Sequence, residues 1–207
     1  MERWFLPDTL RLDASISITS QLDDLIQAEA DLTGILLGEV VVGEHLVDPF
    51  VVAGSLVGCR DDLIIGVSVK LGAGRAASVI AREATCLDLL FDQGTALLLR
   101  SVDLEHLDEG LSVVSALFTG GPATFLGVKE QIHEAPNRPG PRNPGGPPLL
   151  GWLEDGDRPR VFRTTHGDRS SLETLWDLPV DLTPRGGVIL QGHSGSATIG
   201  SENGDDQ

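Results

Sequence analysis

Three short runs decide how this chain folds: Ile35-Leu-Leu-Gly-Glu-Val-Val-Val42, Leu63-Ile-Ile-Gly-Val-Ser-Val69 and Ala96-Leu-Leu-Leu99. Each is apolar, often β-branched, and has Gly or Asp nearby. Near-continuous apolar runs of this length predict strands buried on both faces, the pattern of parallel strands covered by helices. The intervening segments have helical spacing. Ser20 is placed to cap a helix with Leu22, Leu25 and Ile26 on one face and Gly34 beyond its end. Asp48-Pro49 opens the next helix, because proline at the first helical position forgoes no hydrogen bond. Ser78 to Leu90 sets Val79, Ala84 and Leu87 along one stripe, and Asp103 to Phe118 repeats the pattern through Leu107, Leu111, Val114 and Leu117. With a first strand at Trp4-Phe5-Leu6, strand and helix alternate as in an α/β fold with right-handed crossovers.

The alternation stops at Pro136 to Pro148, whose six prolines and three glycines predict an extended loop. Beyond it, Leu149-Leu-Gly-Trp152, Arg160-Val-Phe-Arg163 and Val188-Ile-Leu190 read as strands and Ser170 to Leu178 as a helix. Residues 1–195 form a single domain in this reading, and 196–207 a flexible acidic tail.

Composition narrows the function classes. At 207 residues and 41% hydrophobic, the chain can bury a sizeable core. Its formal charge of −16, from 15 Lys and Arg against 31 Asp and Glu, excludes broad contact with a phosphate backbone. Six Phe and no Tyr leave little surface for base stacking, so no nucleic-acid partner is expected. No apolar run is long enough to span a bilayer, and the opening Met1-Glu2-Arg3-Trp4 lacks the layout of a secretion signal, which predicts a cytoplasmic protein with no membrane partner. Cys59 and Cys86 form no CxxC pair and read as small buried thiols. His106, His133, His166 and His193 lie far apart in sequence, so no metal site is expected, and His106 falls on a polar helical face.

In order and spacing, Gly38-Glu-Val-Val-Val-Gly-Glu-His45, Asp48-Pro-Phe-Val-Val52, Ala81-Arg-Glu-Ala-Thr-Cys-Leu-Asp-Leu-Leu90, Leu117-Phe-Thr-Gly120, Phe125-Leu-Gly127 and Gly145-Gly-Pro-Pro-Leu-Leu-Gly151 resemble the bacterial luciferase-like monooxygenase superfamily. The resemblance implies a TIM barrel that uses FMN or a deazaflavin on a small-molecule substrate. A complete barrel of that kind takes about 250 residues, so the expected fold is a shortened or incomplete TIM-like (β/α) barrel of parallel strands. Ser101-Val-Asp leads almost directly into the next helix, where the family carries a long active-site loop.

The resemblance also implies site residues. Glu44 and His45 match an acidic-His pair beside the flavin and are the catalytic candidates, because a histidine next to a carboxylate can move protons near neutral pH. The alternative for His45 is a hydrogen bond to a loop carbonyl. Ser68 and Lys70 are the polar candidates where the third strand meets the cofactor, with Lys70 either pairing a cofactor phosphate or sitting among acids at the rim. Gly72, in Gly72-Ala-Gly-Arg75, can turn backbone N–H groups toward an anion, although the segment reads mainly as a turn. Arg100, ending the next strand, completes the cofactor-side set. Gln191-Gly-His-Ser-Gly-Ser196 loosely resembles the family's phosphate loop, and Ser196 stands where a hydrolase elbow needs glycine. Two other expectations stand beside the oxidoreductase: a non-catalytic flavin-binding or auxiliary subunit, and a cofactor-independent cyclase or isomerase on the same scaffold. An incomplete barrel leaves edges that need cover, which predicts a homodimer through Asp48 to Gly58 and Ser78 to Leu90.

Overall fold

The structure, a computed structural model, describes residues 2–7, 9–27, 32, 34–56, 63–72, 74–92, 94–143, 145–154, 160–163, 173–174, 181–182 and 188–192. The elements run β1 (Glu2–Leu6), β2 (Thr9–Leu12), α1 (Ile18–Gln27), β3 (Gly34–Leu37), β4 (Glu39–Val42), β5 (His45–Val47), α2 (Pro49–Ser55), β6 (Ile64–Lys70), α3 (Ala77–Leu90), β7 (Leu97–Ser101) and α4 (Leu104–Phe118). They continue with β8 (Ala123–Leu126), β9 (Gln131–Ala135), β10 (Leu149–Leu153), β11 (Arg160–Arg163), β12 (Glu173–Thr174), β13 (Asp181–Leu182) and β14 (Val188–Gly192).

Five strands, in the order β10-β7-β6-β3-β1, pair in parallel and curl into a half-barrel. Antiparallel strands extend both edges, β11 and β12 beyond β10, and β14 and β13 beyond β1. The fold is therefore mixed α/β rather than parallel throughout. Glu173 and Thr174 pair with β11 as a strand, where spacing predicted helix within Ser170 to Leu178. The tail 196–207 and residues 193–196 of the loose phosphate-loop match lie outside the described residues.

Local capping chemistry explains two helices. Asp48 accepts the Phe50 N–H at 2.8 Å with Pro49 at the first helical position, and Asp103 accepts from Glu105 and His106 at the start of α4. The other two starts differ from expectation: α1 begins at Ile18 rather than at a Ser20 cap, and α3 begins at Ala77 after Ala76, which offers no side-chain cap. The buried stripe of α3 is Ala77, Ile80, Ala81, Ala84 and Leu87. Val79 and Cys86 lie on the opposite, exposed face, so the thiol read as buried is exposed; Cys59 lies outside the described residues.

Alternation along the strands divides the apolar side chains into two clusters. Phe5, Ile35, Leu37, Ile65, Val67, Leu97 and Leu99 face the helices and pack against residues such as Ile80, Leu107 and Leu111. Trp4, Leu6, Leu36, Ala96, Leu98, Leu150 and Trp152 form the second cluster, which contains no helical residue and lines the concave face of the sheet. Gly66 sits within this concave layer. A Cβ there would lie 2.7 Å from the Ala96 carbonyl oxygen and 2.8 Å from Leu36 Cδ2, so the strands approach at a distance only glycine allows.

The hairpin of β8 and β9 is docked on α4 by one carboxylate. Glu109 accepts the backbone N–H groups of Val128, Lys129 and Glu130 at 2.8, 2.7 and 2.9 Å. The Val128 bond, then those of Glu130 and Lys129, hold its carboxyl below the usual range although burial opposes this. Among the described residues no helix is long and apolar enough to cross a membrane.

Gly66→Ala is expected to lower stability by about 1–3 kcal/mol through overpacking. Gly121→Ala, where an added Cβ meets nothing within 4 Å, serves as the neutral control. Urea denaturation midpoints compare the two, and equal midpoints would contradict this account of the concave layer.

Candidate functional site

The C-terminal ends of β6, β7 and β10 carry the polar residues of the concave face. These strands pair in register, Lys70 beside Arg100 and Arg100 beside Trp152, so the three side chains form a row across neighbouring strands. One step below lies the row of Ser68, Leu98 and Leu150. Glu154 follows β10 on the same face as Trp152, fixed by its backbone N–H to the Ser101 carbonyl at 2.7 Å.

The carboxylate of Glu154 gathers the row together. Lys70 Nζ donates to Oε2 at 3.0 Å, while Arg100 donates to Oε1 from Nε at 3.0 Å and from Nη2 at 2.7 Å. The guanidinium also lies 5.9 Å from the centre of the Trp152 ring, within cation–π range. Burial by itself would raise the Glu154 carboxyl, but the Lys70 hydrogen bond and the charge and hydrogen bonds of Arg100 outweigh it and hold the group ionised below the usual range. Two cations against one carboxylate leave one surplus positive charge in a chain of net charge −16.

The face is graded. The Lys70 side chain is 53% exposed, Arg100 and Glu154 are half-buried, and Ser68 is buried with no hydrogen-bond partner for Oγ among the described residues. A buried hydroxyl without a partner is costly unless something else satisfies it. Gly38 lies opposite: a Cβ there would stand 3.7 Å from Ser68 Cβ and 4.0 Å from Oγ, so the glycine leaves a methyl-sized space beside the hydroxyl. The arrangement can neutralise and orient an anionic group. Glu154 is held ionised, so it does not exchange a proton near neutral pH.

Ser68, Lys70 and Arg100 therefore share one surface. The other sequence candidates do not join them. The stretch 35–42 is not one strand: it leaves the main sheet at Gly38, and β4 pairs with β2 and β5 in a separate three-stranded sheet. Glu44 and His45 thus occupy a hairpin at that sheet's edge rather than the end of a main-sheet strand. Both are exposed, and His45 belongs to the edge strand of that separate sheet. Gly72, with φ of +78°, faces His106 of α4 instead of the concave layer. Arg75, from the same glycine-containing segment, is engaged by Asp48 and by Glu83 and lies over the Phe50 ring.

Glu154 and Trp152 were missed as site residues. Their signal is the alternation of Leu150, Trp152 and Glu154, which places all three on the face shared with Arg100.

Because the native pKa of Glu154 is depressed, its stabilising effect is present above the ordinary carboxylate range and is lost as pH falls through the native value. The stability difference between wild type and Glu154→Gln, from urea denaturation, is expected to be largest near pH 6 and to shrink toward about pH 3. A difference independent of pH would contradict the ionised-bridge assignment. No protein-family model matches this chain, and no curated protein matches it either.

Proposed function

We propose that the concave rim binds a flavin-type cofactor, FMN or a deazaflavin, and that the chain is a shortened luciferase-like oxidoreductase acting on a small organic substrate in the cytoplasm. The observation that carries this reading is the convergence of Ser68, Lys70 and Arg100 on one face at the C-terminal ends of parallel strands. In β/α barrels that end carries the chemistry. The residues present fit such a group: a buried Ser68 hydroxyl without a partner among the described residues, space at Gly38, and a surplus cation. When bound, the cofactor supplies the redox chemistry. The protein's own part is to hold the anionic portion with Lys70 and Arg100, to keep both aligned through Glu154, and to offer the Ser68 hydroxyl as a hydrogen-bonding group. Glu44 and His45 are the proton-transfer pair of this reading. Self-association through α2 and α3 belongs to it as well, with the exposed apolar residues Val51 and Val79 as contact points.

One observation favours a second reading, a flavin-binding subunit without turnover. Glu154, the acid of the rim, is held ionised, and His45 stands exposed on another sheet.

Titration of FMN and of a deazaflavin into the full chain, followed by absorbance and fluorescence, tests the shared premise. Lys70→Met or Arg100→Met is expected to weaken binding about tenfold, equivalent to ~1.4 kcal/mol. Absence of binding to either cofactor at millimolar concentration would overturn it. Turnover with reduced cofactor that falls on His45→Ala, with melting temperature unchanged, selects the enzyme; binding without turnover selects the subunit.

A further inference from the structure

The outer face of α3 differs from that of α4. Its exposed side chains are Val79, Arg82, Cys86, Leu89 and Leu90, spaced so that they follow one stripe along the helix. Val79 is 46% exposed and Leu90 55%. The opposite face, from Ala77 through Ile80, Ala81, Ala84 and Leu87, is buried in the core. A surface helix is ordinarily apolar on one side only, and one that is apolar on both sides needs cover on both. α4 follows the ordinary pattern, with Glu105 and Asp108 exposed beside Leu104.

The acids of α3 are withdrawn from this stripe. Glu83 lies 3.3 Å from Arg75 Nη1, and Arg75 is also held by Asp48, the cap of α2. Asp88 is buried and accepts the Arg142 backbone N–H at 3.0 Å. The tie through Arg75 sets the first turn of α2 against α3, and the exposed Val51 belongs to that turn. Arg82 is therefore the one exposed charge of α3, and it is positive in a chain of net charge −16.

Charge selects the occupant. A strongly basic partner, which the net charge attracts elsewhere, meets Arg82 here, whereas over most of the surface two copies of this chain bring acid against acid. The stripe escapes that repulsion because it exposes no acid of its own. An acid follows it: Asp92 lies two residues past Leu90 with its side chain 99% exposed, and Arg142 Nη1 is 3.5 Å away. Around a twofold axis at Cys86, antiparallel copies of α3 place Arg82, four residues before the axis, beside the partner copy's Leu90, four residues after it. The guanidinium then points toward the partner copy's Asp92, and the leucines cover its aliphatic stem.

We propose that the outer face of α3 is a homodimer interface in which two copies pack antiparallel about a twofold axis at Cys86, with Arg82 of each facing Asp92 of the other. The inference rests on the self-association included in the functional reading and is independent of the cofactor. Packed helix axes lie about 8–10 Å apart, so the two Cys86 thiols stand within reach of a short bismaleimide across the axis.

Light scattering of the full chain at micromolar concentration, combined with bismaleimide cross-linking mapped by mass spectrometry, tests the interface. A dimer mass is expected together with a Cys86–Cys86 link. Leu90→Asp is expected to weaken association about a hundredfold by burying an unpaired charge, with far-ultraviolet circular dichroism unchanged. Arg82→Glu is expected to weaken it as well, and Asp92→Lys added to Arg82→Glu to restore it. A monomeric chain would overturn the interface and self-association together. A dimer without the Cys86–Cys86 link would overturn this interface alone, and a charge exchange that fails to restore association would overturn the antiparallel pairing of Arg82 with Asp92. The wild-type mass and link decide the proposal even where a variant does not fold, and flavin titration remains a separate measurement.

Discussion

Successive side chains on a strand point to opposite faces, and the in-register pairing of β6, β7 and β10 turns that local rule into a site. Odd-numbered positions such as Val67, Val69, Leu97 and Leu99 are committed to the helices, so Ser68, Lys70 and Arg100 have only the concave face. Register also decides their company. A slip of one residue between β6 and β7 would take Arg100 away from Lys70 and leave Glu154 a single partner. The close approach at Gly66 works in the same direction, because the concave layer has no room beside Leu36 and Ala96 for a different seating of the strands.

The ion cluster on this face is better understood as a positioning device than as a source of stability. Partly exposed ion pairs contribute little, since screening and side-chain entropy offset most of the Coulomb attraction. Geometry is what the cluster provides. Three donor contacts on one carboxylate restrain two long cationic side chains that would otherwise sample many rotamers, and Trp152 gives the guanidinium a flat surface to lie near. The surplus cation is the more solvent-accessible one, Lys70, which orients the unmet charge toward whatever approaches the open end of the strands.

Features set by neighbours in sequence were legible without coordinates. The cap at Asp48-Pro49, the helix from Asp103 and its buried stripe through Leu107, Leu111, Val114 and Leu117, and the apolar strand cores all follow from spacing and capping chemistry. Features set by distant partners were not. Nothing within 35–42 announces that the chain changes sheets at Gly38, because the reason lies in the pairing of β4 with β2 and β5; that change carries Glu44 and His45 to a separate sheet edge. Glu109 reads as one more charge on a polar helix face until the turn at 128–130 is brought to it from about twenty residues away. Lys70 and Arg100 were visible as cations at strand ends, but their shared counter-ion lies 84 and 54 residues further along.

The two carboxylates of the hairpin contact form a sequence of dependencies. Glu109 orders the turn that carries Glu130, and Glu130 then faces both His106 and the uncapped start of α3. Three acidic or titratable groups are thus fixed by backbone N–H donors and by one another, with no lysine or arginine contacting the imidazole pair among the described residues. Such an arrangement differs in kind from the rim. At the rim, cations outnumber the acid and the ensemble stays charged, whereas the hairpin contact pairs one imidazole with one carboxylate and leaves a ring nitrogen beside glycine. The first arrangement suits holding an anion, and the second ties the hairpin turn to the starts of α3 and α4. Both stand at the ends of the parallel strands because the loop from Lys70 to Gly72 passes over the first turns of α4, with Leu71 packed against Gly110, so the fold that aligns the cations also carries the glycine turn to the imidazole.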